Sequence, residues 1–173
     1  MKDKMVKYKM TETKMQAALM YWVMNDLHHL YTIPNSTTVF PWESDLISVT
    51  QALFVHEYEV KISMADYRKD ELKKSKHQRL QDAGKRYKPN YFWYATCFDI
   101  EPPPHAGWIK VSGDGELHVE VKKPAPRLTD AKMSDQTQFA LARLLSFRLT
   151  NFYQDYIYRE NQATCRNTPE FEI

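Results

Sequence analysis

Residues 45–70 read DLISVTQALFVHEYEVKISMADYRKD, and the middle of this run decides what kind of fold the chain can adopt. Around Val55 to Ser63 the residues alternate as a strand does. Phe54, Tyr58, Val60 and Ile62 fall on one face, and Glu57, Glu59, Lys61 and Ser63 fall on the other. The preceding run, Asp45 to Thr50, is strand-like as well. If the two pair antiparallel about a short turn near Ala52, Asp45 stands opposite Glu59 on one face, with Cβ atoms about 5 Å apart. The turn is unusual, because Gln51-Ala52-Leu53 lacks the Gly, Asn or Asp that tight turns prefer.

Two carboxylates held that close repel each other unless a cation sits between them. An all-oxygen site completed by waters suits Mg²⁺ or Mn²⁺. Such an ion polarises a phosphoryl oxygen and acidifies a bound water, while a neighbouring lysine orients that water or offsets charge on the phosphate. The constellation of Asp45, Glu59 and Lys61 therefore reads as phosphodiester hydrolysis. The plainer alternative is a solvated strand face carrying an ordinary Glu-x-Lys pair.

Asp45 with Glu59-x-Lys61 resembles the PD-(D/E)xK nuclease superfamily. The longer run Glu59-Val60-Lys61-x-Ser63-x-Ala65-Asp66-Tyr67-Arg68-x-Asp70 is similar to the MmcB-like branch of DNA-repair nucleases and their phage-borne relatives. Lys76-His77, Pro89-Asn90-Tyr91-Phe92-Trp93-Tyr94-Ala95, Ala106-Gly107-Trp108-Ile109 and Lys122-Lys123-Pro124-Ala125-Pro126 continue the series, over about half the chain. Ser44 stands where the superfamily name has proline. The resemblance implies a restriction-endonuclease-like core, with Asp45, Glu59 and the backbone carbonyl of Val60 as metal ligands, Lys61 as the catalytic lysine and Glu43 as an accessory acid. It also implies DNA as substrate, in repair, recombination or phage DNA processing. It does not fix the substrate's structure, because a shared core hosts many activities.

At 173 residues the chain is long enough for one domain with a real core and no staples. Cys97 and Cys165 are far apart and form no metal-like pair, which fits a reduced, cytoplasmic setting. No stretch has the apolar length of a membrane span, and the polar start MKDKMVKYK lacks the apolar segment of a signal peptide. The formal net charge is only +2, but residues 68–88 hold nine Lys and Arg against Asp70, Glu71 and Asp82. This basic stripe suits a phosphate backbone, with Lys69, Lys73, Lys76, His77 and Arg79 as contacts. A solvated helix face with partial ion pairing is the competing reading.

Around this centre the other elements follow from periodicity. Residues 1–10 form an arm without a clear period. A helix capped by Thr11 or Thr13 carries Met15, Leu19, Trp22/Val23 and Leu27/Leu30 to about Tyr31, with His28 and His29 near its last carbonyls. Ile33-Pro34-Asn35-Ser36 breaks the chain and Thr37-Thr38-Val39-Phe40 forms a short strand. Trp42, just before the acidic residues, either walls the site or fills the core. Residues 64–83 form one charged helix stopped by Gly84. Ser63 and Asp66 near its start are placed to support the ligands from behind, although Asp66 also suits the positive end of the helix dipole.

Tyr91 to Phe98 reads as a central strand, apolar on both faces, and residues 102–104 as an extended proline loop. Strands over 107–112 and 116–122 join through Gly113-Asp114-Gly115. A last helix is capped by Ser134 or Asp135. Its stripe Leu141, Leu145, Leu149, Phe152 and Tyr156 belongs to the core or to a homodimer contact, and the tail from 160 to 173 is expected to fray. The expectation is a single α/β domain, a mixed β-sheet flanked by helices, acting as a Mg²⁺-dependent DNA nuclease. A different class competes with it: a catalytically silent nucleic-acid- or protein-binding module on the same scaffold.

Overall fold

The structure, a computed structural model, describes residues 9–72, 74–82 and 88–166. The chain is an α/β protein in the order α1 (Glu12–Asn25), β1 (Tyr31–Ser36), β2 (Ser44–Val49), β3 (Val55–Lys61), α2 (Met64–Glu71), α3 (Lys74–Gln81), β4 (Tyr91–Thr96), β5 (Gly107–Ser112), β6 (His118–Lys123) and α4 (Asp135–Arg166). It forms two compact units, Met1–Met133 and Ser134–Ile173. The first contains a six-stranded mixed sheet with strand order β1-β2-β3-β4-β5-β6. Pairing is antiparallel from β1 to β3, parallel from β3 to β5, and antiparallel between β5 and β6.

The β2–β3 hairpin pairs Leu46 with Tyr58, Ile47 with Glu57, Ser48 with His56 and Val49 with Val55. The pairing ends at Leu46 and Tyr58, and Asp45, one residue beyond, meets β3 through its carboxylate, which accepts Val60 N–H at 2.7 Å. The missing turn glycine is replaced by Leu53, which adopts a left-handed backbone with φ 65°. That conformation costs an L-residue about 1–2 kcal/mol. It is held by Leu53 N–H donating to Thr50 O at 2.9 Å, Thr50 N–H to Phe54 O at 2.9 Å, and Phe54 N–H to the Thr50 hydroxyl at 3.1 Å.

Each face of the sheet has its own cover. Met15, Leu19 and Val23 of α1, spaced by four, are wholly buried against Leu46, Tyr58, Val60, Trp93, Ala95, Ile109 and Val111. The opposite face carries Glu57, Glu59 and Lys61 beside Phe92, Tyr94 and Thr96. Tyr67 of α2 and Leu80 of α3 pack there with Phe92, Tyr94 and Ala106. The alternation in β3 is thus as predicted, but its charged side is buried rather than solvated. Asn90 ties the start of β4 to two neighbours. It donates N–H to Val55 O and accepts from Val55 N–H, and its side-chain amide donates to Thr129 O and Ala131 O.

Several boundaries depart from the sequence reading. Thr11 caps α1, accepting from Lys14 N–H at 3.3 Å, but the helix stops at Asn25 rather than near Tyr31. His28 turns left-handed at φ 53°, and Leu30 N–H already pairs with Val49 O at 2.7 Å. His29 then bonds the Ser48 hydroxyl at 2.7 Å through Nδ1, so its ring serves the sheet and not the helix carbonyls. The edge strand β1 takes up Ile33-Pro34-Asn35-Ser36, because an edge tolerates proline, and residues 37–40 form no strand.

The expected helix over 64–83 is two helices, α2 ending with Leu72 N–H on Lys69 O at 3.2 Å. Gly84 lies outside the described residues. In the second unit Ser134 caps α4, accepting from Thr137 N–H at 3.2 Å. Helical backbone continues to Arg166 instead of fraying after Arg159, and Leu149, Phe152 and Tyr156 are exposed. Residues 1–8 of the arm and 167–173 of the tail are outside the description. Among the described residues no helix is long and apolar enough to cross a membrane.

His56 gives the first unit a pH-dependent stability. Its ring lies 4.5 Å from Tyr91 and 4.9 Å from His29, and Nδ1 accepts from Trp93 Nε1 at 3.2 Å. Burial, then the neighbouring His29, pushes its pKa down to about 3. Between pH 6.5 and about 3 the unfolded chain binds a proton that the folded chain refuses. Stability is therefore complete above that window and falls as the pH drops through it, by up to about 1.4 kcal/mol per pH unit from this group. Urea unfolding of His56→Gln is expected to show a shallower loss than wild type between pH 6.5 and 4.5.

Candidate active site

Because side chains alternate along a strand, β3 sends Glu57, Glu59 and Lys61 to the side covered by α2 and α3. Lys61 Nζ donates to Glu59 Oε1 at 2.7 Å and stands 3.8 Å from Asp70 Oδ1 of α2. Lys76 Nζ, from α3, is 2.5 Å from Glu59 Oε2 and 3.0 Å from Glu57 Oε1. Glu57 Oε1 also accepts from Trp42 Nε1 at 2.7 Å and from the Ser44 hydroxyl at 3.0 Å. Asp70 Oδ2 accepts from the Tyr94 hydroxyl at 2.7 Å. All five charged groups are buried.

Asp45 completes the cluster from β2, its Oδ2 accepting Val60 N–H at 2.7 Å. It is only partly buried and adjoins exposed Glu43, so solvent reaches the cluster from this side. Burial first, and then the charge of Glu59, raises its pKa to about 7 against the opposing pull of Val60 N–H and Lys61. Burial likewise pushes the Glu57 carboxyl up, with Lys76 and Trp42 pulling it back. For Lys76, burial would lower the pKa, but Glu57 and Glu59 outweigh it and raise it, keeping the ammonium charged.

The structure thus brings together Asp45, Glu59, Lys61 and the Val60 backbone. Since N–H and C=O of one strand residue point to the same edge, the Val60 carbonyl faces the Asp45 side with its N–H. Other expected positions differ. Lys76 and His77 are not surface contacts for phosphate, because α3 turns them inward. Lys76 enters the carboxylate cluster, while His77 lies 3.0 Å from His105 Nε2 and 3.3 Å from the Tyr94 hydroxyl. Ser63 and Asp66 do not support the ligands. Both are exposed, and the Ser63 hydroxyl caps α2 by accepting Asp66 N–H at 3.2 Å.

Trp42 is a wall of the cluster as much as core, stacked 5.2 Å from Phe40 while its indole N–H binds Glu57. Lys69 and Arg79 are exposed, and Lys73 lies outside the described residues. Sequence reasoning missed Glu57, Asp70, Tyr94 and the inward role of Lys76. Only Glu57 had a visible signal, since it shares the strand parity of Glu59 and Lys61.

Among the described residues, no group of three or more His, Cys, Asp and Glu side chains is arranged to hold a metal ion. Asp45, Glu59 and the Val60 carbonyl supply three oxygen donors, which suits a hard divalent ion whose remaining positions are filled by water. The raised pKa of Asp45 comes first from burial and then from the charge of Glu59, and a bound cation would offset both. The donors fit, on the condition that Glu59 gives up an ammonium contact, because both of its oxygens are engaged by lysines.

Comparison of the chain with protein-family models and with curated proteins gives no match. Among solved structures it is similar to a protein of unknown function from Silicibacter pomeroyi, with a TM-score of 0.54 and 14% identity over 92% of this chain and 94% of that one. At that identity the likeness concerns the fold.

Tyr94→Phe removes the hydroxyl that donates to Asp70 inside the cluster. The variant is expected to lose about 1–3 kcal/mol of stability, read from the urea midpoint at unchanged slope. An unchanged midpoint would mean that the buried bond contributes nothing net.

Proposed function

We propose that this chain is a divalent-metal-dependent nuclease that hydrolyses phosphodiester bonds of DNA. One observation carries the reading: the Asp45 carboxylate accepts Val60 N–H at 2.7 Å, next to Glu59 in the chain, while Lys61 donates to the Glu59 carboxylate at 2.7 Å. Asp45, Glu59 and the Val60 carbonyl would hold Mg²⁺ or Mn²⁺, with Glu43 close to the entrance. When bound, the ion acidifies a water and polarises a phosphoryl oxygen.

The chain's own groups do the rest. Lys61 keeps an ammonium beside the acidic pair, where it donates to the attacking water or to a phosphate oxygen as negative charge grows. Asp70, behind it at 3.8 Å, restrains that ammonium from the opposite side. Exposed Lys69 and Arg79 offer sequence-independent phosphate contacts whose strength falls with salt. The likeness of residues 42–127 to the PD-(D/E)xK superfamily and its MmcB-like branch supports DNA over RNA, and a role in repair, recombination or phage DNA processing.

A second reading, a catalytically silent binding module on this scaffold, draws on the engagement of both Glu59 oxygens by lysines. Thermal stabilisation by Mg²⁺ separates the two, because an ion that binds only the folded chain must raise its melting temperature by mass action.

Purified protein is expected to nick or cut DNA when Mg²⁺ or Mn²⁺ is present. Lys61→Ala should slow cleavage by about a hundredfold or more while DNA binding stays within a few-fold of wild type. Absence of cleavage across single-stranded, duplex, flapped and junction DNA, with no metal-dependent stabilisation, would rule the nuclease reading out.

A further inference from the structure

Lys76 sits where a metal-binding carboxylate would need to be available. Its ammonium bridges Glu59 Oε2 and Glu57 Oε1 at 2.5 and 3.0 Å, with the Trp42 and Phe92 rings 5.8 and 5.0 Å away. A lysine roofed by aromatic rings and set between two carboxylates occupies the place of an inorganic cation. Bringing a dication to Glu59 while Lys76 stays would crowd it and two ammonium groups around one carboxylate, with strong mutual repulsion in a partly desolvated site.

Glu57 provides somewhere for the ammonium to go. It is wholly buried, and its Oε2 has no hydrogen-bond partner among the described residues, while Oε1 is already shared by Trp42, Ser44 and Lys76. A short movement toward Glu57 leaves Lys76 paired and frees one oxygen of Glu59.

We propose that Lys76 is a built-in counter-ion for Glu59, which holds the carboxylate until a divalent cation displaces the ammonium onto Glu57, and which thereby sets the metal affinity of the site. This rests on the reading of Glu59 as a metal ligand. Lys76 is then a positioning residue: it competes with the ion for Glu59 and touches neither substrate nor phosphate.

The test is Mg²⁺ and Mn²⁺ titration of the full chain by calorimetry and by metal-dependent melting, without DNA. Lys76→Met is expected to tighten binding by about tenfold or more, because the competing charge is gone. Lys76→Arg, which keeps the charge, should stay close to wild type or bind more weakly. Since Lys76→Met leaves Glu57 buried without its cation, the double variant Glu57→Gln/Lys76→Met removes both charges together, a change that often leaves folding intact, and it carries the same expectation. A purely structural Lys76 predicts weaker binding in every variant. Unchanged, weaker or absent binding in both Met variants overturns the proposal. Cleavage by wild type at saturating Mg²⁺ reports on the nuclease reading separately. A protein that cuts, but whose Met variants gain no affinity, refutes the role of Lys76 alone. Tight metal binding by the Met variants without cleavage supports Lys76 and refutes the nuclease.

Discussion

The architecture depends on how β3 can bury Glu57, Glu59 and Lys61 on one face. An ionised group taken out of water must be paired and hydrogen-bonded, or it gives up its charge. Lys61 answers one oxygen of Glu59. Everything else needed comes from outside the strand: Lys76 from α3, Asp70 from α2, Trp42 and Ser44 from the approach to β2 and β2 itself. The crossover from β3 to β4 therefore does more than cover the sheet, because it carries the counter-charges that make the charged face tolerable.

Such a cluster is hard to explain by stability alone. Replacing a buried ion network with apolar side chains of similar size is often neutral or stabilising, whereas removing one member is costly. The stability of the first unit lies mainly on the other face, where Met15, Leu19 and Val23 meet Leu46, Tyr58 and Val60 without a charge among them. The two faces of one strand thus divide the work. The even positions of β3 anchor the fold, and the odd positions hold charged groups in fixed relation. Asn90 and the left-handed Leu53 keep the hairpin and β4 in register, and the Asp45 carboxylate on Val60 N–H closes the hairpin's other end.

The β2–β3 hairpin was legible in the sequence, since a two-residue period defines the faces and the spacing about a turn defines the partner. Glu57 was equally visible as a member of the face that carries Glu59 and Lys61, although nothing in the pattern marked it as buried. α1, β4 and the β5–β6 hairpin were legible for similar reasons. The early end of α1, the uptake of Pro34 into an edge strand and the division of 64–83 into α2 and α3 were not. In the first two a long-range bond overrode local preference, as when Leu30 N–H pairs with Val49 O, whereas α2 ends on a local bond from Leu72 N–H to Lys69 O.

By itself, the sequence determined the two faces of β3, the β2–β3 hairpin and the adjacency of Lys61 to Glu59, because these depend only on strand period and hairpin register. Only the tertiary structure decided that the charged face of β3 is buried, that Lys76 points inward to Glu57 and Glu59, and that Asp70 and Tyr94 stand near Lys61. Periodicity says which side chains share a face. It does not say which element will cover that face, and Lys76 reaches Glu59 across 17 residues of chain only because the crossover folds back over the strand it has just left.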